Sequence, residues 1–112
     1  MTAVPAPAPS AACVEVATFR ARPGLAPEEV TRALAAASRW LAGQPGFLGR
    51  RLFHDPAEET WLDQVEWRSA DDAARAMAAY PGSPVAPALD RVVDPASFRC
   101  LHVAPVSLPS AE

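Results

Sequence analysis

FLGRRLFH-DPAEE-TWLDQVEW-RS, residues 47–69, decides how this chain folds. Phe47 to His54 and Thr60 to Trp67 are two short strand-like runs separated only by Asp55-Pro56-Ala57-Glu58-Glu59. So short a turn lets the second run return only antiparallel to the first, which makes the stretch a β-hairpin. Strand alternation then puts Trp61, Asp63, Val65 and Trp67 on one face. Arg50 and Arg51 point to opposite faces of the partner strand, so in either register one of them can approach Asp63. Ser69 has the right chemistry to cap a helix, and Asp71 and Asp72 suit the positive end of that helix.

Downstream, Ala73, Ala76, Met77 and Tyr80 continue the helix until Pro81-Gly82 ends it. Pro84 to Val93 reads as one further irregular helical turn, and Ser97 to Val103 as a last strand. Upstream, Cys13 to Arg20 is a strand that Arg22-Pro23-Gly24 closes. Pro27, Glu28 and Glu29 open a helix whose apolar face is Val30, Leu34, Ala37 and Leu41. Trp40 lies beside that stripe, and Gly43 with Pro45-Gly46 stops the helix. Residues 1–12 alternate Pro with Ala and read as a disordered tail; residues 13–104 are the domain, and 105–112 a second tail.

The order is therefore β-α-β-β-α-β, an α+β, ferredoxin-like arrangement with two helices on one face of a four-stranded antiparallel sheet. Val14, Val16, Leu62, Leu101 and Val103 fall on the other face. Burying that apolar surface calls for a second copy, so a homodimer is expected.

Composition narrows the function. The 112 residues suffice for one domain, with half the residues apolar, 21% charged and a net charge of −3. All 10 basic residues are arginines, and they form no dense cluster, so no nucleic-acid surface is expected. Neither a signal peptide nor a run of about 20 apolar residues is present, which makes the cytoplasm the expected location and a membrane role unexpected. Cys13 and Cys100 form no motif and read as reduced core thiols.

The segments Phe19-Arg-Ala-Arg-Pro-Gly24, Gln44-Pro-Gly-Phe47 and Trp61 through Trp67 to Ser69, with the alanine-rich helix after them, resemble the antibiotic biosynthesis monooxygenase family. The resemblance covers roughly residues 13–104. It implies a homodimeric α/β barrel and a pocket between each subunit's sheet and its own helices. Members oxidise anthrone- or quinol-type aromatics without a cofactor, or degrade haem, so the family alone does not fix an activity. In quinone-forming members an Asn and a Trp four residues apart on the third strand reach the pocket; here that spacing holds Asp63 and Trp67. The histidine that quinol oxidisers carry in the second helix is matched by Ala76. The strand-one Asn of haem degraders is matched by Ala17, and no histidine lies between residues 55 and 101.

The catalytic candidates are Asp63, Trp67, Glu15 and His102. A carboxylate set between two tryptophans would lose water and become a better proton acceptor, which is the help a cofactor-free oxidation needs. The competing reading pairs Asp63 with an arginine that merely fixes strand register. Glu15 shares a face with Cys13, Ala17 and Phe19, so it either joins Asp63 in the pocket or sits solvated at the strand. His102 is either an acid/base near neutral pH or a hydrogen-bonded structural residue. Trp61, Val65 and Phe19 on the strands, with Trp40, Met77 and Tyr80 on the helices, are candidate substrate walls or plain core. His54 borders the turn. Neither histidine has a partner at metal-ligand spacing, and the glycines make no phosphate loop, so neither metal nor cofactor is expected. Three functions stay open: a cofactor-independent monooxygenase on a planar aromatic, a non-catalytic binder of a hydrophobic small molecule, and a structural dimer with a filled core.

Overall fold

A computed structural model describes residues 11–110. Its elements are β1 (Cys13–Arg20), α1 (Pro27–Ala42), β2 (Phe47–Asp55), β3 (Thr60–Trp67), α2 (Ala70–Ala79), α3 (Ala86–Val92) and β4 (Arg99–Val103). Residues 1–10 of the expected first tail, and 111–112 of the second, lie outside the described residues; 104–110 come after β4 without regular structure.

The hairpin pairs His54 with Trp61, Leu52 with Asp63 and Arg50 with Val65. The four strands form one antiparallel sheet in the order β2-β3-β1-β4, so β1 and β3 are its central strands. No helix of the described residues is long and apolar enough to cross a membrane.

Local chemistry sets the element ends. Pro27 occupies the first turn of α1, where its missing N–H costs nothing, and the Glu29 carboxylate accepts from the Ala26 backbone N–H. Ser69 Oγ accepts from Asp72 N at 3.1 Å and so starts α2. Gly46, in the left-handed region at φ 83°, makes the turn into β2, and a side chain there would run into the Asp72 carboxylate.

Two expectations need correction. The stretch after Pro84 is a regular seven-residue helix, not one irregular turn. Pro87 is tolerated in its first turn, and burial of Ala86 and Val92 holds it in place. The last strand starts at Arg99, not Ser97. Pro95 has no N–H to give a ladder, and the Asp94 carboxylate caps a short 3₁₀ turn by accepting from Ala96 N at 3.1 Å. Ser97 Oγ then takes the Arg20 N–H at 2.8 Å, which closes the end of β1.

The helices lie against the face that carries Cys13, Glu15, Ala17 and Phe19. Two apolar clusters form there. One joins Cys13, Leu41, Val65, Trp67, Ala73 and Ala76; the other joins Phe19, Val30 and Leu34, with Trp61, Leu89 and Val93 packed on it. The opposite face leaves Phe53, Leu101 and Val103 exposed, Leu101 at 63%.

Candidate active site

Strand register lays out the floor of the site as a grid. Across β2-β3-β1-β4, one row is Leu52, Asp63, Ala17 and Cys100; the next is Arg50, Val65, Glu15 and His102. Directly opposed residues in antiparallel strands share a face, so all eight project to the helix side. Apolar Ala17 and Val65 separate two polar corners: Arg50 with Asp63, and Glu15 with Cys100 and His102.

Over this floor lies a cavity of about 590 Å³. Leu34, Ala37, Trp40 and Leu41 of α1 wall it on one side, Ala76 and Met77 of α2 with Tyr80 on another, and Val85 and Leu89 close it from the α3 region. The volume falls within the span of about 300–1,000 Å³ usual for small-molecule pockets. A filled core, one of the three readings that the sequence leaves open, does not describe this interior.

Glu15, Phe19, Asp63, Val65, Trp67, Trp40, Met77 and Tyr80 all line the cavity. The cavity lining does not include Trp61 or His102. Trp61 packs on the Phe19 cluster and stacks against His54, ring centroids 4.4 Å apart. His102 stands behind Glu15, its Nε2 3.2 Å from Glu15 Oε1.

Asp63 is held on both oxygens. Arg50 Nε donates to Oδ1 at 2.9 Å and Nη2 to Oδ2 at 2.7 Å. Arg50 Nη1 also donates to Ser38 Oγ at 2.8 Å and to the Leu34 carbonyl, which ties the pair to α1. The side chains are only 6% and 16% exposed. Arg50 is thus the arginine on the inner face, while Arg51 lies outside with its guanidinium over the Phe53 ring. A bidentate guanidinium leaves a carboxylate little capacity for a substrate proton. Glu15, by contrast, keeps one oxygen clear of His102 and borders the cavity.

Trp67 is fully buried, makes an edge contact with Phe47, and has no partner for its indole Nε1–H. A buried donor without a partner is costly, and protein atoms enclose this one. Tyr80 meets Trp40 edge-on and donates its hydroxyl to Asp90 Oδ1 at 3.3 Å. Burial, then the charge and hydrogen bond of Asp90, push its phenol up to about 12, so it stays a donor at neutral pH. Cys13 is a buried core thiol as expected, but Cys100 is half-buried and lines the cavity. Burial, and then the charges of Glu15 and Asp63, push the Cys100 thiol up to about 11.

Sequence reasoning missed Arg22, Leu89, Asp90, Phe98 and Cys100 among the lining residues. Leu89 and Asp90 belong to the stretch expected to be one irregular turn. The four-residue spacing of Val85, Leu89 and Val93 was the signal available there.

A family model for antibiotic biosynthesis monooxygenases matches residues 13–81. No curated protein matches the chain by sequence. Among solved structures, the chain is similar to SnoaB, a cofactor-independent oxygenase from Streptomyces nogalater, at 24% identity and TM-score 0.70, over 88% of this chain and 97% of that one. It is also similar to the monooxygenase from the ActVA-Orf6 gene of Streptomyces coelicolor, solved with the ligand nanaomycin D, at 19% identity and TM-score 0.65, over 89% and 94%. PA3566 from Pseudomonas aeruginosa aligns at 17% identity and TM-score 0.66, over 88% and 98%. Likeness at these identities establishes the shared fold.

Proposed function

The chain belongs to the antibiotic biosynthesis monooxygenase family, and we propose that it is a cofactor-independent monooxygenase of a planar aromatic, anthrone- or hydroquinone-type small molecule. The observation that carries this reading is the cavity: largely apolar, walled by Trp40, Met77 and Tyr80, with the Glu15 carboxylate at one edge. The description of SnoaB as a cofactor-independent oxygenase supports the same chemistry on the same fold.

For an anthrone the steps balance without an external reductant. A base takes a proton from the activated CH₂, and the carbanion gives one electron to dioxygen. Recombination forms a peroxide, which loses water to leave a C=O. One oxygen atom enters the product and the other leaves as water. The protein has to bind the ring flat, accept the first proton and stabilise the developing oxyanion. Glu15 suits the first proton because its Oε2 is free of the His102 contact, and His102 positions it. Asp63, clamped by Arg50, serves as a fixed part of the floor. In this reading a second copy covers Phe53, Leu101 and Val103 on the outer face, and sedimentation should return twice the chain mass.

The test is oxygen uptake by metal-free protein over a panel of anthrones and hydroquinones, with Glu15→Gln as the control that keeps the side-chain shape and removes the base. Turnover above the spontaneous rate, cut at least about 100-fold in Glu15→Gln, is expected. Saturable ligand binding with no uptake by the folded wild type would instead make the protein a non-catalytic binder.

A further inference from the structure

We propose that Glu15, Cys100 and His102 form a binding site for a borderline-soft divalent transition-metal ion of the zinc class, at the β4 edge of the cavity floor. The three side chains each offer one ligand atom, and those atoms all lie within 4.8 Å of one another. Bonds of about 2.0–2.3 Å at tetrahedral angles place donors about 3.3–3.7 Å apart, so modest rotamer changes close the set around an ion. Glu15 Oε1 and His102 Nε2 are already 3.2 Å apart.

The sheet register creates this set. Cys100 and His102 alternate onto the inner face of β4, and Glu15 stands directly opposite His102 on β1. Ala17, opposite Cys100, is too small to fill the space beside the thiol. The expectation of no metal rested on spacing along the chain, and strand pairing supplies the partner that such spacing cannot reveal.

The chemistry of the donors selects the ion. A thiolate with an imidazole prefers zinc, cobalt or cadmium over calcium or magnesium, and one carboxylate is compatible with all of them. Binding displaces the Cys100 proton to solvent, and thiolate plus carboxylate then balance the two charges of the ion. Arg50, the cation on the same floor, is committed to Asp63 and does not compete. The His102 side chain is 34% exposed, which gives an ion access from solvent at the sheet edge.

Three protein ligands leave a fourth position for water or a cavity ligand. Because Glu15 and Cys100 line the cavity, a bound ion meets whatever the cavity holds. It also removes Glu15 as a proton acceptor, so it inhibits turnover; that consequence alone rests on the oxygenase reading, whereas the binding does not.

The experiment is a Co²⁺ titration of the reduced full-length chain, monitoring sulfur-to-cobalt charge-transfer absorption. The band should saturate at one ion per chain and persist in Cys13→Ser. It should vanish in both Cys100→Ser and Cys100→Ala, with folding verified by circular dichroism. The apparent affinity should fall at least about tenfold in His102→Ala. Absence of a saturable band in the wild type, or a band unchanged in the Cys100 variants, would overturn the site. Oxygen uptake with and without Co²⁺ separates the two proposals. Turnover suppressed by the ion supports both, while no turnover in either condition removes the oxygenase reading and leaves the cobalt result intact.

Discussion

The two polar corners of the cavity floor stand on neighbouring strands of one sheet and are built for different work. On the β2/β3 side, Asp63 is gripped on both oxygens by a nearly buried guanidinium that also reaches α1. On the β1/β4 side, Glu15 has a single contact, to a histidine one-third exposed at the sheet edge. A carboxylate saturated with charged donors fixes geometry, whereas one with spare capacity can exchange protons or take an ion. In the proposed function the reactive acid is therefore chosen by its uncommitted lone pairs, not by desolvation and aromatic neighbours alone.

Removing Arg50 should produce the largest effect, since it strands a part-buried carboxylate and takes a donor from the Leu34 carbonyl and Ser38 hydroxyl. Arg50→Ala is expected to lose about 3–5 kcal/mol in urea unfolding. A loss under about 1 kcal/mol would erase the distinction between the corners. At the other corner, Glu15→Gln should keep stability within about 1 kcal/mol while lowering oxygen uptake at least about 100-fold. His102→Ala acts through Glu15 and should lower uptake about tenfold and alter its pH profile, which a purely structural histidine would not do. The outer face sets the baseline. Glu58→Ala, which removes a pair with Arg20 between side chains 57% and 70% exposed, should shift stability by no more than about 0.5 kcal/mol.

Much of the fold was legible because it is written in short-range patterns. The five-residue turn at 55–59 forces the hairpin, Ser69 starts α2 where capping chemistry requires, and alternation correctly groups Trp61, Asp63, Val65 and Trp67 on one face. α3 was harder to see because prolines at 84 and 87 mask a helix that tertiary burial of Ala86 and Val92 stabilises. The site was legible only in part. Alternation put Glu15 and Asp63 on the same side of the sheet, but which arginine met Asp63 depended on the β2/β3 register. The Glu15, Cys100 and His102 cluster needed β1 paired with β4, which sets Glu15 beside a histidine 87 residues away, and no local pattern encodes that. Trp61 shares the strand face of Trp67 yet packs into the Phe19 cluster, because the helices close over that end of the sheet.

The most direct measurement compares oxygen uptake by metal-free wild type, Glu15→Gln and Asp63→Asn, each corrected for its folded fraction, with one anthrone substrate. Uptake well above the spontaneous rate in the wild type, abolished in Glu15→Gln and largely kept in folded Asp63→Asn, is the expected result. Full activity in Glu15→Gln, or none in the wild type, would contradict the assignment of the reactive corner to Glu15.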